Sequence, residues 1–336
     1  MNYFNNITLQ KSMYNISNKS FTDVLESLDP SSNYIGTPFD NLDPFQRQLS
    51  RFGIKVSGSN SDNVSKFFES TETSCLFPEY VSRAVYQGMR DANILSNIIS
   101  TTTKSDSVDY RSYSCFHSPA DKELAIVSEG SLLPITEIKP QEKLVNIKKR
   151  GRMLTSSYET IKHQKLDLFT ISLKQIGAYI SHTQLKDAIN VLINGDGNLN
   201  PAHSISFTDD IKYDDLIRLW SLFEEFNMDT ILVSPNIMST IVTFPQFQNP
   251  LTGLNFNTSG NLTTPFGAKL FKTTAMPDNT IIGLDSKSCL EMVVASDLSL
   301  EYDKLIDCQI HRTSITTMTG FAKIFPDAVK VLSKTL

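Results

Sequence analysis

The feature that most constrains the fold is one long helical pattern at residues 166–194. Its apolar residues recur at spacings of mostly three and four, as expected for an α-helix with a buried face: Phe169, Leu173, Ile176, Ile180, Leu185, Ala188, Ile189 and Leu192. Gly195 follows and is the residue type that most often ends a helix. At 1.5 Å per residue the helix spans roughly 43 Å, which is long for a compact domain.

Composition indicates a globular protein and excludes several classes. The 336 residues allow one large domain or two ordinary ones, and 40% of them are hydrophobic while 20% are charged. The net charge of -5 argues against a general polyanion binder, so any nucleic-acid contact must be local. No run approaches the ~18 apolar residues of a membrane span, and the N-terminus has no signal-peptide core, so we expect synthesis and folding in the cytoplasm without a membrane.

The N-terminal quarter is polar and interrupted by prolines. Residues 1–75 contain Asp29-Pro30, Thr37-Pro38 and Asp43-Pro44, and the pattern predicts an extended arm with one or two short helices and no core of its own. A helix within residues 76–99 is then predicted, with Pro78 as its first residue.

Residues 100–155 predict a long protruding β-hairpin. Alternating segments at 107–113 and 143–147 indicate two long strands. The intervening residues 116–141 are too polar and too often interrupted for a core, and they contain Glu129-Gly130 and Pro134.

The second half of the chain predicts an α/β segment followed by strands. A helix from Asp214 or Asp215 through Phe226, with Trp220 in its core face, precedes a buried strand at 230–233 and a helix capped by Ser234-Pro235. Residues 244–267 show no clear element and carry Phe247 and Phe256, which indicates a loop with an interaction role. The remainder predicts strands at 280–282, 292–294, 310–318 and 322–325.

Catalytic and metal motifs receive no support from the sequence. No nucleophile elbow, phosphate loop, dinucleotide fingerprint or zinc-protease motif occurs, and the five histidines never lie within four residues of one another. Residues 194–200 place oxygen ligands at alternate positions as a calcium loop does, but Leu199 and Ile205 occupy positions that need glycine and glutamate. We therefore expect no enzyme activity, cofactor or metal, and a helix end with a turn at 194–200.

Charge is unevenly distributed along the chain. Two surfaces of opposite charge on one chain suit head-to-tail self-association. Residues 146–165 contain six basic residues against Glu159, whereas residues 205–296 contain ten acidic residues against five basic ones. The basic run Lys148, Lys149, Arg150 and Arg152 lies in a predicted strand, where it favours ion pairs between subunits. A solvated face and a nucleic-acid contact remain as alternatives.

The order of elements resembles the major capsid proteins of tailed bacteriophages of the Hong Kong ninety-seven type. The similarity covers residues 75 to 336 and rests on five short motifs in this order: Leu76-Phe77-Pro78-Glu79-Tyr80-Val81, Glu129-Gly130-Ser131-Leu132-Leu133-Pro134, Ser157-Tyr158-Glu159, Leu192-Ile193-Asn194-Gly195-Asp196-Gly197 and Ile231-Leu232-Val233-Ser234-Pro235. The resemblance implies an α+β fold with these parts: an N-terminal arm (1–75), a helix (76–99), an extended loop (100–155), a peripheral domain with spine helix 166–194 (156–204 and 297–336) and an axial domain (205–296).

The resemblance also implies a function as a shell subunit. Hexamers and pentamers would form an icosahedral virion capsid around double-stranded DNA, assembled in the cytoplasm of a bacterial host with portal and scaffold proteins as partners. The relatives that weld subunits covalently use an asparagine on a peripheral strand, and no asparagine occurs here after Asn279, so we expect no crosslink and no catalytic residue. The expected intersubunit contacts are Glu129, Gly130, Pro134, Lys148, Lys149, Arg150, Arg152, Phe247 and Phe256.

Two alternatives remain open at this point. An encapsulin-type nanocompartment resembles the same fold but encloses cargo enzymes. A small-molecule hydrolase would need a serine or cysteine with one of the five histidines, but no such pair has a recognisable spacing.

Overall fold

The computed structural model describes residues 3–16, 19–114, 126–133, 135, 138–208, 210–248, 264 and 266–334. The helices in chain order are α1 (Phe21–Leu28), α2 (Pro44–Arg51), α3 (Thr71–Asp91), α4 (Tyr158–His163), α5 (Leu166–Asn194), α6 (Tyr213–Ser221), α7 (Pro235–Val242) and α8 (Pro245–Gln248). Short 3-10 helices are Tyr3–Asn6, Lys11–Asn15, Ser31–Tyr34, Val64–Phe68, Leu95–Asn97 and Pro326–Ala328.

The strands form three sheets. They are β1 (Thr101–Lys104), β2 (Tyr113–Ser114), β3 (Lys139–Pro140), β4 (Lys148–Ser157), β5 (His203–Phe207), β6 (Thr230–Val233), β7 (Lys269–Lys272), β8 (Thr280–Leu284), β9 (Leu290–Leu305), β10 (Ile310–Lys323) and β11 (Val329–Lys334). The strand orders are β1-β9-β10-β4, β5-β11-β8-β6-β7 and β2-β3. The predicted α+β class is confirmed.

The chain divides into two units, each with its own core. The first unit comprises residues 1–92, 150–180 and 298–317, and the second comprises residues 93–149, 181–297 and 318–336. Helix α5 and strands β4, β9 and β10 contribute residues to both units.

The N-terminal residues form part of the core of the first unit. Capping boxes at Ser20 and Asp43 begin α1 and α2, and the apolar faces of these helices pack together with α3. The buried residues from this region include Leu9, Phe21, Leu25, Phe45, Leu49 and Phe67. The prediction of an extended arm without a core is therefore wrong, because widely separated apolar residues converge once the short helices form.

Helix α3 begins earlier than predicted. Ser70 caps the helix through a reciprocal hydrogen-bond pair with Thr73, so Pro78 lies inside the helix and is not its first residue. Tyr80 of α3 donates a hydrogen bond to the carbonyl oxygen of Leu166 at 3.0 Å and lies 2.6 Å from the Thr170 hydroxyl. These contacts attach α3 to the first turns of α5.

Helix α5 has the bounds that its apolar spacing predicts. Its residues Leu166 and Leu173 are buried in the first unit, and Leu185, Ile189 and Leu192 are buried in the second. Gly195, with φ of 83°, ends the helix as expected.

The five-stranded sheet holds the core of the second unit. Strand β6 is fully buried, and Ser234 accepts a hydrogen bond from the Ile237 amide at the start of α7, which confirms the predicted strand and helix. Helix α6 ends at Ser221 and does not continue to Phe226. Trp220, predicted to be in the core, is 45% exposed and stacks on Phe266.

The two long strands predicted at 107–113 and 143–147 are wrong. Among the described residues of this region, only Tyr113–Ser114 and Lys139–Pro140 pair as strands, in antiparallel register. Most described residues of this region instead adopt irregular backbone that is held by side-chain hydrogen bonds.

Candidate functional site

The loop segment, defined here as residues 100–149, is tied to strand β9 by one buried carboxylate. Glu291 accepts hydrogen bonds from the hydroxyls of Thr103 (2.5 Å), Tyr110 (2.8 Å) and Ser112. Burial, together with the hydrogen bond to Glu291, raises the pKa of Tyr110, so this hydroxyl remains a donor. The outgoing part of the loop segment is therefore fixed to the sheet.

A second set of hydrogen bonds holds the returning part of the loop segment. The Gln141 side chain donates to the Lys323 carbonyl oxygen at 3.1 Å and to Asp196 at 3.2 Å, and it accepts from Asn198 at 3.0 Å. The amide of Lys143 donates to the Asn198 side chain at 2.9 Å. Hydrogen bonds thus anchor both the outgoing and the returning part of the loop segment, here called its base. The direction in which the loop segment leaves the sheet is therefore fixed.

The turn at residues 194–200 is occupied by internal hydrogen bonds. The Asp196 carboxylate accepts from the amides of Asn198 (3.1 Å) and Lys323 (3.0 Å), as well as from the Asn198 and Gln141 side chains. Leu199 has a positive φ of 58°, which suits a turn. The carboxylate oxygens that a calcium loop would offer to the ion are used by these donors.

A buried lysine supplies the positive charge at this turn. The Lys323 ammonium is fully buried and donates to the carbonyl oxygens of Leu192 (2.8 Å) and Asn200 (2.9 Å). Leu192 lies in the last turn of α5, where a cation interacts favourably with the helix dipole. Burial lowers the pKa of the Lys323 ammonium to about 8.

The depressed pKa of Lys323 predicts a pH dependence of stability. Between the folded pKa of about 8 and the usual lysine pKa of about 10.4, the unfolded chain binds more protons, so stability rises as pH increases and falls as pH decreases. We expect the unfolding free energy of the wild type, relative to Lys323→Met, to increase by about 1–2 kcal/mol between pH 8 and pH 9.5. Urea unfolding of the wild type and of Lys323→Met at pH 8 and pH 9.5 measures this difference in unfolding free energy. A difference that is the same at both pH values would contradict the prediction.

Exposed apolar side chains mark the far part of the loop segment. Ile126, Leu132, Leu133, Ile135 and Ile138, here called the apolar tip, have exposed fractions between 69% and 105%. Scattered single apolar residues are ordinary on protein surfaces, whereas a concentration within 13 residues of sequence is typical of an interaction site.

The basic run lies in β4, as predicted. Lys148 forms an ion pair with Asp187 of its own chain at 2.9 Å, while Lys149 and Arg152 are exposed. Arg150 is half-buried. Lys149 and Arg152 are thus the members of the run most accessible to another molecule.

The remaining predicted contacts differ in accessibility. Glu129 and Gly130 form an exposed turn in which Gly130 has a φ of 79°. Phe247 is nearly fully buried and packs against Tyr213 and Phe244, so little of its ring is accessible to a neighbour. Pro134 and Phe256 lie outside the described residues.

Comparison with known proteins gives one family and a set of similar folds. Residues 140–298 match the model of a phage capsid protein family. No curated protein matches the chain. A virus-like particle from Pyrococcus furiosus is 11% identical, with a TM-score of 0.52 over 76% of this chain and 99% of the other. Microbacterium phage Oxtober96 gives 10% identity and a TM-score of 0.53 over 72% and 91% of the two chains. The capsid of cyanophage P-SCSP1u is 16% identical, with a TM-score of 0.50 over 72% of this chain and 88% of the other.

This chain is therefore similar to phage capsid proteins over residues 140–298 and in its fold. Its fold is that of the Hong Kong ninety-seven type, as the order of elements predicted. Because the sequence identities to these solved structures are low, the structural similarity shows a shared fold alone.

Two anchoring residues of the loop segment were missed by sequence reasoning. Glu291 stands inside the apolar strand Leu290-Glu291-Met292-Val293, and Lys323 stands between Ala322 and Ile324. A single charged residue inside an apolar strand must be paired or hydrogen-bonded when it is buried. A single charged residue inside an apolar strand was therefore the sequence feature that could have identified both Glu291 and Lys323.

The described part of the chain contains no group of three or more His, Cys, Asp or Glu side chains that could hold a metal ion. Among its described helices, none combines the length and apolarity needed to cross a membrane.

Proposed function

We propose that this protein is the major capsid subunit of a tailed phage or prophage, and that its copies assemble as hexamers and pentamers into a closed icosahedral shell. The observation that carries the proposal is the apolar tip on a loop segment whose base is anchored to the protein. A projection of this kind exposes apolar area to water in a single subunit and is stabilised when a neighbour covers it.

Symmetry supports the same conclusion. When identical subunits meet through two different surfaces, each partner keeps one of the two surfaces free to bind a further subunit. Repetition of this contact forms a closed ring if the rotation from one subunit to the next divides a full turn evenly. The exposed Lys149 and Arg152 add charges that steer such contacts or pair with acidic residues of a neighbour. Residues 205–296 are assigned to the axial domain around the ring centre, and residues 156–204 and 297–336 to the peripheral domain.

The shell encloses double-stranded DNA through weak contacts without sequence specificity, and portal and scaffold proteins take part in assembly in the cytoplasm of a bacterial host. The contacts with DNA are local because the whole chain has a net charge of -5. No enzymatic step is required of the subunit itself.

Electron microscopy of the purified protein tests the proposal. Closed particles with fivefold and sixfold clusters are expected, with or without co-expressed scaffold. Particles isolated from a producing host should contain nuclease-protected DNA, whereas cargo protein without DNA would favour the nanocompartment alternative. A chain that stays monomeric under all these conditions would refute the shell function.

The apolar tip gives a direct prediction about assembly. Replacing Leu133 by Asp places a charge where a neighbour is expected to exclude water, so the yield of particles should fall at least several-fold while the soluble subunit stays folded. Sedimentation measures the particle yield, and circular dichroism checks the fold. Val108→Asp is the matched control, because Val108 is 52% exposed in the same loop segment but outside the apolar tip. Equal particle yields for the two variants would contradict the prediction.

A further inference from the structure

The link between helix α5 and strand β5 contains an asparagine followed by a proline, Asn200-Pro201. An asparagine side chain in a protein commonly reacts with the backbone nitrogen of the next residue, but a proline nitrogen carries no hydrogen and cannot take this part. The route that remains is attack by the Asn200 side-chain nitrogen Nδ2 on the carbonyl carbon of Asn200 itself, which closes a succinimide ring.

The Asn200 side chain is buried, and one side of its amide lacks a partner. Asn200 is 3% exposed, and its Oδ1 atom accepts a hydrogen bond from the Asp196 amide at 3.0 Å. That bond fixes which side of the amide carries the oxygen and which carries the nitrogen. Nδ2 is buried as well, and no residue in the described part of the chain accepts a hydrogen bond from it. Buried donors without a partner are uncommon, and this one is the nitrogen that the reaction needs.

The carbonyl group next to Nδ2 is polarised by a buried cation. The carbonyl oxygen of Asn200 accepts a hydrogen bond from the fully buried Lys323 ammonium at 2.9 Å. A pKa of about 8 keeps most of this ammonium charged at neutral pH. A fixed positive charge at the oxygen makes the carbonyl carbon more electrophilic and stabilises the oxyanion that forms when a nucleophile adds.

Gly195 allows the side chain and the main-chain carbonyl of Asn200 to lie against the same stretch of backbone. A Cβ atom added at Gly195 would lie 2.5 Å from Oδ1 of Asn200 and 3.0 Å from both the carbonyl carbon and the carbonyl oxygen of Asn200. The side-chain amide and its own carbonyl group therefore crowd around one point. Proximity of this kind removes much of the entropy cost of an intramolecular attack.

We propose that this site cleaves its own chain between Asn200 and Pro201. Nδ2 forms a bond to the Asn200 carbonyl carbon, the bond from that carbon to the proline nitrogen breaks, and one Nδ2 proton passes to the departing nitrogen. The products are a chain 1–200 that ends in a succinimide and a chain 201–336 that begins with proline, and no other reactant is consumed. The inference does not depend on the shell function.

The two products stay together after cleavage. Strand β5 pairs with β11 in parallel register, and both strands belong to the second product. Leu185 and Leu192 of the first product lie in the same core cluster as Ile282 and Val331 of the second. Cleavage is thus an irreversible step that separates the end of α5 from β5 while the subunit remains folded.

Mass spectrometry of the purified, unassembled protein during incubation for several days at neutral pH tests the proposal. Two fragments should accumulate, the first with the mass of residues 1–200 less one water, and N-terminal sequencing of the second should begin at Pro201. The same dipeptide occurs at Asn249-Pro250 and provides an internal control. In urea, cleavage after Asn200 should slow to the rate after Asn249, because the bound cation and the dry site are lost.

Three variants assign the chemistry to its residues, with circular dichroism as a check of the fold. Asn200→Ser removes Nδ2 and should abolish cleavage, while Lys323→Met should slow it by about a hundredfold, as the loss of one oxyanion donor does. Asn190→Ser is the matched control, because Asn190 is an exposed asparagine of α5, and it should cleave at the wild-type rate. Chains that stay intact, equal rates after Asn200 and Asn249 in the folded protein, or the same fragments from Asn200→Ser would each overturn the proposal.

Discussion

Replacement of Gly88 by alanine is expected to destabilise the first unit by about 3 kcal/mol or more, the upper part of the range for overpacked cores. Intrinsic helix propensity alone predicts the opposite, because alanine is favoured over glycine inside a helix by about 1 kcal/mol. The sign of the measured change therefore distinguishes packing from propensity.

The reason is a close crossing of helices α3 and α5. A Cβ atom added at Gly88 would overlap the carbonyl oxygen of Lys174 and would lie 2.5 Å from the Lys174 Cα atom. The partner helix has the same requirement, since a Cβ atom at Gly177 would overlap the Val85 carbonyl oxygen and lie 2.7 Å from the Met89 amide nitrogen. Backbone atoms cannot move aside as a flexible side chain can, so the helices must separate.

Urea unfolding of unassembled subunits measures this effect, and hydrogen exchange at the α3 amides locates it. Gln87→Ala is the matched control, because Gln87 is the preceding residue of the same helix and is exposed. Its stability should change by less than about 0.5 kcal/mol, as for most surface substitutions. An unchanged or higher stability of Gly88→Ala would show that the two helices do not need this close approach.

The elements predicted correctly from sequence are those specified by local patterns. Helix α5 follows from apolar spacing and Gly195, and the β6 to α7 segment follows from a buried β-branched run and the Ser234-Pro235 cap. Local signals of this kind depend on neighbouring residues alone, so no knowledge of the tertiary structure is needed to interpret them.

The N-terminal core was not predictable in the same way. Its apolar residues come in short clusters separated by prolines and polar residues, and they are buried together only after several short elements have converged. In this region the Arg47 side chain is also fully buried and forms an ion pair with the buried Asp29, which a composition count does not reveal. A polar segment with paired buried charges therefore resembles a segment with no core.

The candidate site was predictable in part. The basic strand and the turn at 194–200 were apparent from residue types, whereas the anchor at Glu291 depends on hydroxyls about 180 residues away in sequence. Leu132, Leu133 and Ile135 were present in the sequence, but their exposure is a tertiary property. The sequence analysis predicted contacts at Glu129, Gly130 and Pro134 of this segment, and it did not select the aliphatic residues beside them.

Arg47 is the most extensively bonded buried charge of the N-terminal region described above. Its guanidinium is fully buried and donates to the Asp29 carboxylate at 2.9 Å, to the Asp29 carbonyl oxygen at 2.8 Å and to the Leu42 carbonyl oxygen at 2.7 Å. It also lies 4.3 Å from the centre of the Tyr34 ring, and the Tyr34 hydroxyl donates to Asp29 at 2.6 Å. One side chain thus joins α2 to Asp29, the residue that follows α1, and to Leu42 of the loop before α2.

Replacing Arg47 by Met should destabilise the first unit by about 3–5 kcal/mol, because the buried Asp29 carboxylate loses its partner. Arg47→Lys should recover only part of this loss, since an ammonium cannot reproduce the planar set of donors.

Arg90→Met is the matched control, because Arg90 is exposed in the last turn of α3. Asp29→Leu combined with Arg47→Met removes both charges and should be less destabilising than Arg47→Met alone. Urea unfolding of the four variants measures these differences. If the double variant is as unstable as Arg47→Met, the loss comes from packing around the arginine stem and not from the unpaired carboxylate.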